Sequence, residues 1–165
     1  MLKKVSLTIL LISSSLLAQN NDKHIEPMGI QTLSSQLRVV LSQEMIALEK
    51  GMKEIFSSMI AGDYEKIEKT AGNIKNSFIL EQKLTQNQKE ELHSKLPEAF
   101  LTLDSTFHKD AEMLEHVANI KNPELTQFYF NKMTNACVSC HQSFAQEKFP
   151  LFKPLNQKQT IHQHK

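Results

Sequence analysis

The sequence predicts an all-α chain, an antiparallel four-helix bundle preceded by an export signal. Three observations predict it. Apolar residues recur at steps of three and four along four separate stretches, the mark of helices that each bury one face. No stretch alternates apolar and polar residues over a useful length, so strands are not expected. The links between the stretches are short and rich in Gly, Asn and Pro, which suits antiparallel neighbours. The length of 165 residues suits one domain.

Residues 1–18 are expected to be a signal peptide. "MLKK" is a short positive leader, "VSLTILLISSSLL" an apolar run too short to span a bilayer comfortably, and Ala18 a small residue for cleavage. Leu16, three back from that bond, is not small, and an uncleaved anchor is the alternative. Removing this segment takes away Lys3 and Lys4 and no acid, so the formal net charge of +1 becomes −1. A cleaved chain would work in a bacterial periplasm. Residues 19–30 are polar and expected to be loose. The first helix then starts near Gln31 and buries Leu33, Leu37, Leu41, Met45, Leu48, Met52, Ile55 and Met59. "AGD" at 61–63 ends it, with Gly62 closing one helix and Asp63 capping the next. The second helix turns Tyr64, Ile67, Ala71, Ile74 and Phe78 inward and fades near Gln82.

Thr85 with Gln88 forms a capping-box pattern, followed by a short turn over Leu92 and Leu96. Pro97 suits the first turn of the third helix, where its missing N–H is not needed. That helix buries Phe100, Leu103, Phe107, Ala111, Leu114 and Val117 or Ala118. Asn122 and Pro123 are the cap and first residue of the fourth. It places Leu125, Phe128 or Tyr129, Met133, Ala136, Cys140 and Phe144 on one side. Pro150 and Pro154 end it, and residues 151–165 are expected to form a flexible tail. The four-helix domain would thus span residues 31–150.

Composition excludes several functions. With 19 basic and 18 acidic residues the charge is balanced, so neither nucleic acid nor an anionic membrane surface is an expected partner. The chain shows no repeat, no glycine loop for phosphates, and no catalytic dyad or triad, so no catalytic residue and no enzyme activity are expected.

Chemistry concentrates in "CVSCH", which holds both cysteines of the chain, Cys137 and Cys140, and then His141. Four uses compete. A disulfide is allowed in an oxidising compartment, but one closed over so small a loop adds little stability and leaves His141 idle. A thioredoxin-like pair expects a mixed α/β fold and a helix N-terminus, whereas this pair lies well inside a helix. Structural zinc needs four ligands, so His162 and His164 in the tail would have to complete the set. Covalent haem uses every feature. Two thiols add to the two vinyl groups, and the next imidazole binds the iron. At about 100° per residue Cys137, Cys140 and His141 share one helix face. The C-x-x-C-H spacing is the signature of c-type haem attachment.

A secreted helical bundle with this motif in its last helix resembles cytochrome c′, the class II c-type cytochromes. The resemblance covers the architecture of residues 31–148 and is specific at "CVSCH". It implies one haem c, covalently held by Cys137 and Cys140, with His141 as proximal iron ligand and the first helix across the other haem face. Family members divide there between an apolar cover and a methionine ligand. Met45, with Met52, Ile55 and Met59 seven, ten and fourteen residues on, is similar to the methionine pattern, although one residue more separates it from Gly62. Thioether sulfur is a good axial partner for iron. Leu41, Met52 or an open sixth position are the alternatives to Met45, and Leu41 would then pack on the haem. Arg38, the only arginine, would hold a haem propionate through its planar fork, and Phe144 would pack on the haem edge. Among the other histidines, His93, His108 and His116 are expected to be surface or satisfied groups, His108 nearest the apolar side.

The function expected is a periplasmic c-type cytochrome that passes single electrons between redox partner proteins. The alternative is a five-coordinate cytochrome c′ binding the diatomic gases NO or CO. Many family members carry a basic residue soon after the motif. Ala145 stands in that region here, which weakens the gas reading. A third expectation is a haem-free helical interaction module with a disulfide or zinc. The resemblance also implies a homodimer through the first two helices.

Overall fold

The computed structural model describes residues 29–77 and 83–152. The signal peptide, most of the loose segment and tail, and Phe78 fall outside these residues. The described chain is all-helical, with five α-helices: α1 (Ser35–Ala61), α2 (Tyr64–Lys75), α3 (Gln86–Lys95), α4 (Glu98–Asn119) and α5 (Pro123–Phe144). Short 3-10 turns at Ile30–Thr32 and Pro150–Phe152 flank them. No helix of the described residues is long and apolar enough to cross a membrane.

The helix boundaries follow from their caps. Ser34 accepts a hydrogen bond from the Leu37 N–H and starts α1. Gly62, at φ 70°, ends it. The Asp63 N–H reaches Ser58 O and the Gly62 N–H reaches Met59 O, the paired bonds of a Schellman motif. The Asp63 carboxylate then accepts from the Lys66 N–H and opens α2. The same closing pair recurs after α4, where Asn122 N–H bonds Val117 O and Lys121 N–H bonds Ala118 O. There the left-handed residue is Lys121, at φ 53°. Asn122 next accepts from the Leu125 N–H, and Pro123 occupies the first turn of α5.

Three expectations need correction. The segment after Thr85 is a helix of ten residues, not a turn. Both bonds of the capping box form, and the residues that follow are good helix formers. Only Leu92 interrupts their polarity, so apolar spacing could not reveal the helix. The inward line of α5 also differs. Leu125 and Phe128 are exposed, whereas Thr126 and Met133 are buried. Thr126 can be buried because its hydroxyl donates to Asn122 O at 2.6 Å. Pro97 lies one residue outside α4, as its cap, and its carbonyl accepts from the Phe100 and Leu101 N–H groups.

α1 packs against α2 and α5, α2 against α4, and α4 against α5. The core forms two clusters. The larger joins Leu48 and Ile55 of α1, Ile67, Ala71 and Ile74 of α2, five residues of α4 from Phe107 to Ala118, and Met133 of α5. The smaller joins Leu33, Leu37, Leu41, Leu96 and Phe100, with Cys140 and Phe144 packed against it. The centre line of α1 runs Leu37, Leu41, Glu44, Leu48, Gly51, Ile55 and Ser58. Met45, Met52 and Met59 therefore lie one residue off centre and are half-buried.

Candidate functional site

Cys137, Cys140 and His141 occupy the last two turns of α5, and all three are half-buried. Both thiols are free. Cys137 packs against the larger core cluster and Cys140 against the smaller. Met45 of α1 packs against both clusters. The motif and Met45 thus share the seam where the two halves of the core meet. Leu41 is buried in the smaller cluster, and Phe144 meets the Phe100 ring edge-on at 5.4 Å between centroids.

Burial raises both thiol pKa values. Cys140 is pushed up to about 11, first by burial and then by the negative charges of Asp104 and Cys137. Cys137 is raised by burial, against a smaller opposing backbone hydrogen bond. A redox-active pair needs the opposite, a stabilised thiolate at the positive end of a helix. These thiols stand near the negative end of α5. Neutral thiols also form disulfides slowly, since the thiolate is the attacking species. Among the described residues no group of three or more His, Cys, Asp or Glu side chains could hold a metal ion. His162 and His164, which the zinc expectation requires, lie outside them.

His141 stacks on Phe149, with centroids 4.3 Å apart and planes at 19°. Burial, then the Lys148 charge, lowers its pKa, so the imidazole is neutral near pH 7. Among the described residues neither ring nitrogen makes a hydrogen bond. The turn after α5 creates the stack: Lys148 and Phe149 N–H groups both donate to Ala145 O, folding Phe149 back over the helix.

Arg38 is exposed, and its Nη1 donates to Leu33 O at 2.6 Å and Gln31 O at 3.2 Å, fastening the N-terminal turn to α1. Its other guanidinium nitrogens have no partner among the described residues. The structure thus brings Leu41, Met45, Cys140 and Phe144 to the smaller cluster, and Met45 and Cys137 to the larger. His141 lies beside them under Phe149, and Arg38 lies outside the apolar group.

Sequence reasoning missed a polar group next to this seam. Glu44, only 1% exposed, accepts a hydrogen bond from Ser77 Oγ at 3.0 Å. Its place at alternating steps of four and three between Leu37, Leu41, Leu48 and Ile55 was the available signal. Across the interior, His108 Nδ1 donates to Ile74 O at 2.8 Å, and its Nε2 lies 3.7 Å from Asp104 Oδ1. A cleft of about 620 Å³ opens between α3, α4 and the end of α2. Asp104 and His108 line it; Cys137, Cys140 and His141 do not. Compared with known proteins, the chain matches no protein-family model, no curated protein and no solved structure.

Proposed function

We propose that the chain is a periplasmic c-type cytochrome related to cytochrome c′, carrying one covalent haem c and passing single electrons between redox partners. One observation carries the reading: two free thiols one turn apart, with an adjacent neutral imidazole, face the seam between the core clusters, and Met45 of α1 reaches the same seam. The ring of contacts among α1, α2, α4 and α5 supports a four-helix bundle, with α3 in the link.

The donor set fits haem c. Cys137 and Cys140 would hold the porphyrin edge, and His141 would give the iron a ring nitrogen that no described residue engages. Met45 would supply the second axial ligand, and Arg38 would offer a propionate its free guanidinium nitrogens. Bound haem supplies a reversible one-electron change at iron. The chain contributes burial, axial ligation and hydrogen bonding, which set the potential.

A visible absorption spectrum of protein made in haem-competent cells tests this. The expected result is a Soret band that survives denaturation, low-spin features, resistance to CO, and loss of the low-spin features in Met45→Ala. Absence of the band overturns the reading. One observation favours the gas-binding form: Leu41 is buried in the cluster against which Cys140 and Phe144 pack, whereas Met45 sits off the centre line of α1. A high-spin ferric spectrum with ready CO binding after reduction would select that form and remove Met45 as ligand.

A second copy of the chain would pair through α1. Ser35, Val39, Ser42, Ile46, Glu49, Lys53, Phe56 and Ile60 follow steps of four and three along its outward side. Val39, Ile46, Phe56 and Ile60 are more than half exposed. An antiparallel copy in one register sets Ile46 against Phe56 and Glu49 against Lys53, twice each by symmetry.

A further inference from the structure

Among the described residues the half-buried His108 imidazole is a titratable ring that the haem reading leaves without a role, and its surroundings are specific. Nδ1 faces the Ile74 carbonyl, which only accepts, so Nδ1 keeps its proton. Protons therefore come and go at Nε2, which faces Asp104. Asp104 also acts electrostatically on Cys140, one of the two thiols that would carry the haem. His108 and Asp104 both line the cleft of about 620 Å³, which gives water a path to them.

We propose that His108 is a redox-linked proton site: Nε2 takes up one proton from solvent through the cleft when an electron arrives at the group on Cys137 and Cys140, and releases it when the electron leaves. This rests on the haem reading. The electron comes from the redox partner and the proton from water, so charge is conserved across each cycle. Asp104 acts on both sites, by contact with the His108 ring and by its charge on Cys140, and so couples them.

The charged groups around the ring favour such a role. Burial lowers the His108 pKa, but the hydrogen bond and charge of Asp104, the Ile74 carbonyl and the charge of Glu44 on α1 outweigh it, and the net shift is upward. Across the cleft stand Lys75 of α2, Lys89 and His93 of α3, and Lys109 and Glu112 of α4. Lys75 is neutralised by Glu115 at 2.6 Å. The ring thus holds its proton more firmly than a free imidazole, and an added negative charge nearby would raise its occupancy further.

The test is the reduction potential measured from about pH 5 to pH 9, with the His108 titration followed by NMR in both redox states. Proton and electron affinities must change by the same factor. The expected result is a potential that falls with rising pH across the His108 pKa, and a proton affinity about fivefold higher in the reduced protein, the low end of site-to-site coupling. His108→Gln flattens that part of the profile. Asp104→Asn, at a half-exposed position, moves it to lower pH. A haem-loaded wild-type protein whose potential does not change over this range overturns the proposal and leaves the haem reading intact. Protein without a Soret band overturns both.

Discussion

Two residues after helix ends share a left-handed backbone and differ in side chain, which makes their energetics comparable. At Gly62 a Cβ would meet nothing within 4 Å, so only the positive φ opposes substitution. Gly62→Ala is expected to cost about 1 kcal/mol in urea unfolding. Lys121 holds the equivalent place after α4 with a side chain that disfavours it. Lys121→Gly is expected to stabilise by up to about 1 kcal/mol in the same measurement. The first of these ends was legible, because glycine announces a left-handed residue. The second was not, because the paired backbone bonds that close α4 hold a lysine in a conformation its side chain disfavours. The same distinction separates Cys137, Cys140 and His141, whose spacing states their chemistry, from Glu44, which when buried bonds a serine 33 residues away.

Among the helices, α3 shows how a polar segment earns its place. Glu91 accepts from the Ser34 N–H at 2.6 Å and from Ser34 Oγ at 2.9 Å, so its carboxylate sits at the positive end of α1. Lys95 pairs with it at 3.0 Å. The Ser34 backbone bond first, and then Lys95, hold its pKa below the ordinary 4.5. The sign follows: a carboxyl with a lowered folded pKa stabilises the protein above its unfolded value, and the benefit is lost as pH falls through the folded one. Glu91→Gln is expected to melt below wild type at pH 7 and to approach it as pH falls through the lowered pKa of Glu91. A difference that persists in acid would show that the charge is not responsible. The capping box that starts α3 was visible in the sequence. The helix itself was not, since its stability comes from propensity and caps while apolar spacing reports burial. For α5 the spacing was present and slightly misleading: Leu125 and Phe128 supplied the apolar signal, yet the buried position went to a threonine that satisfies itself against Asn122.

At the scale of the whole molecule, α1 carries two seams of the same spacing, one turned to the core and one outward. The outward seam predicts a dimer. Sedimentation velocity is expected to show a dimer for the wild type and a monomer for Ile46→Glu with Phe56→Glu, both at exposed positions where folding should persist. A wild type that stays monomeric at high concentration would refute the pairing. The division of the core has a different consequence, one of local stability. The smaller cluster rests on the N-terminal turn, the start of α1, the α3–α4 link and the last turns of α5, and the larger one holds the middle of the molecule. Opening at that end can occur while the rest stays folded, so amide hydrogens in the first turns of α1 should exchange before those around Ile55 and Leu114. A group fastened across the seam would join the two regions into one cooperative unit and abolish the difference in exchange.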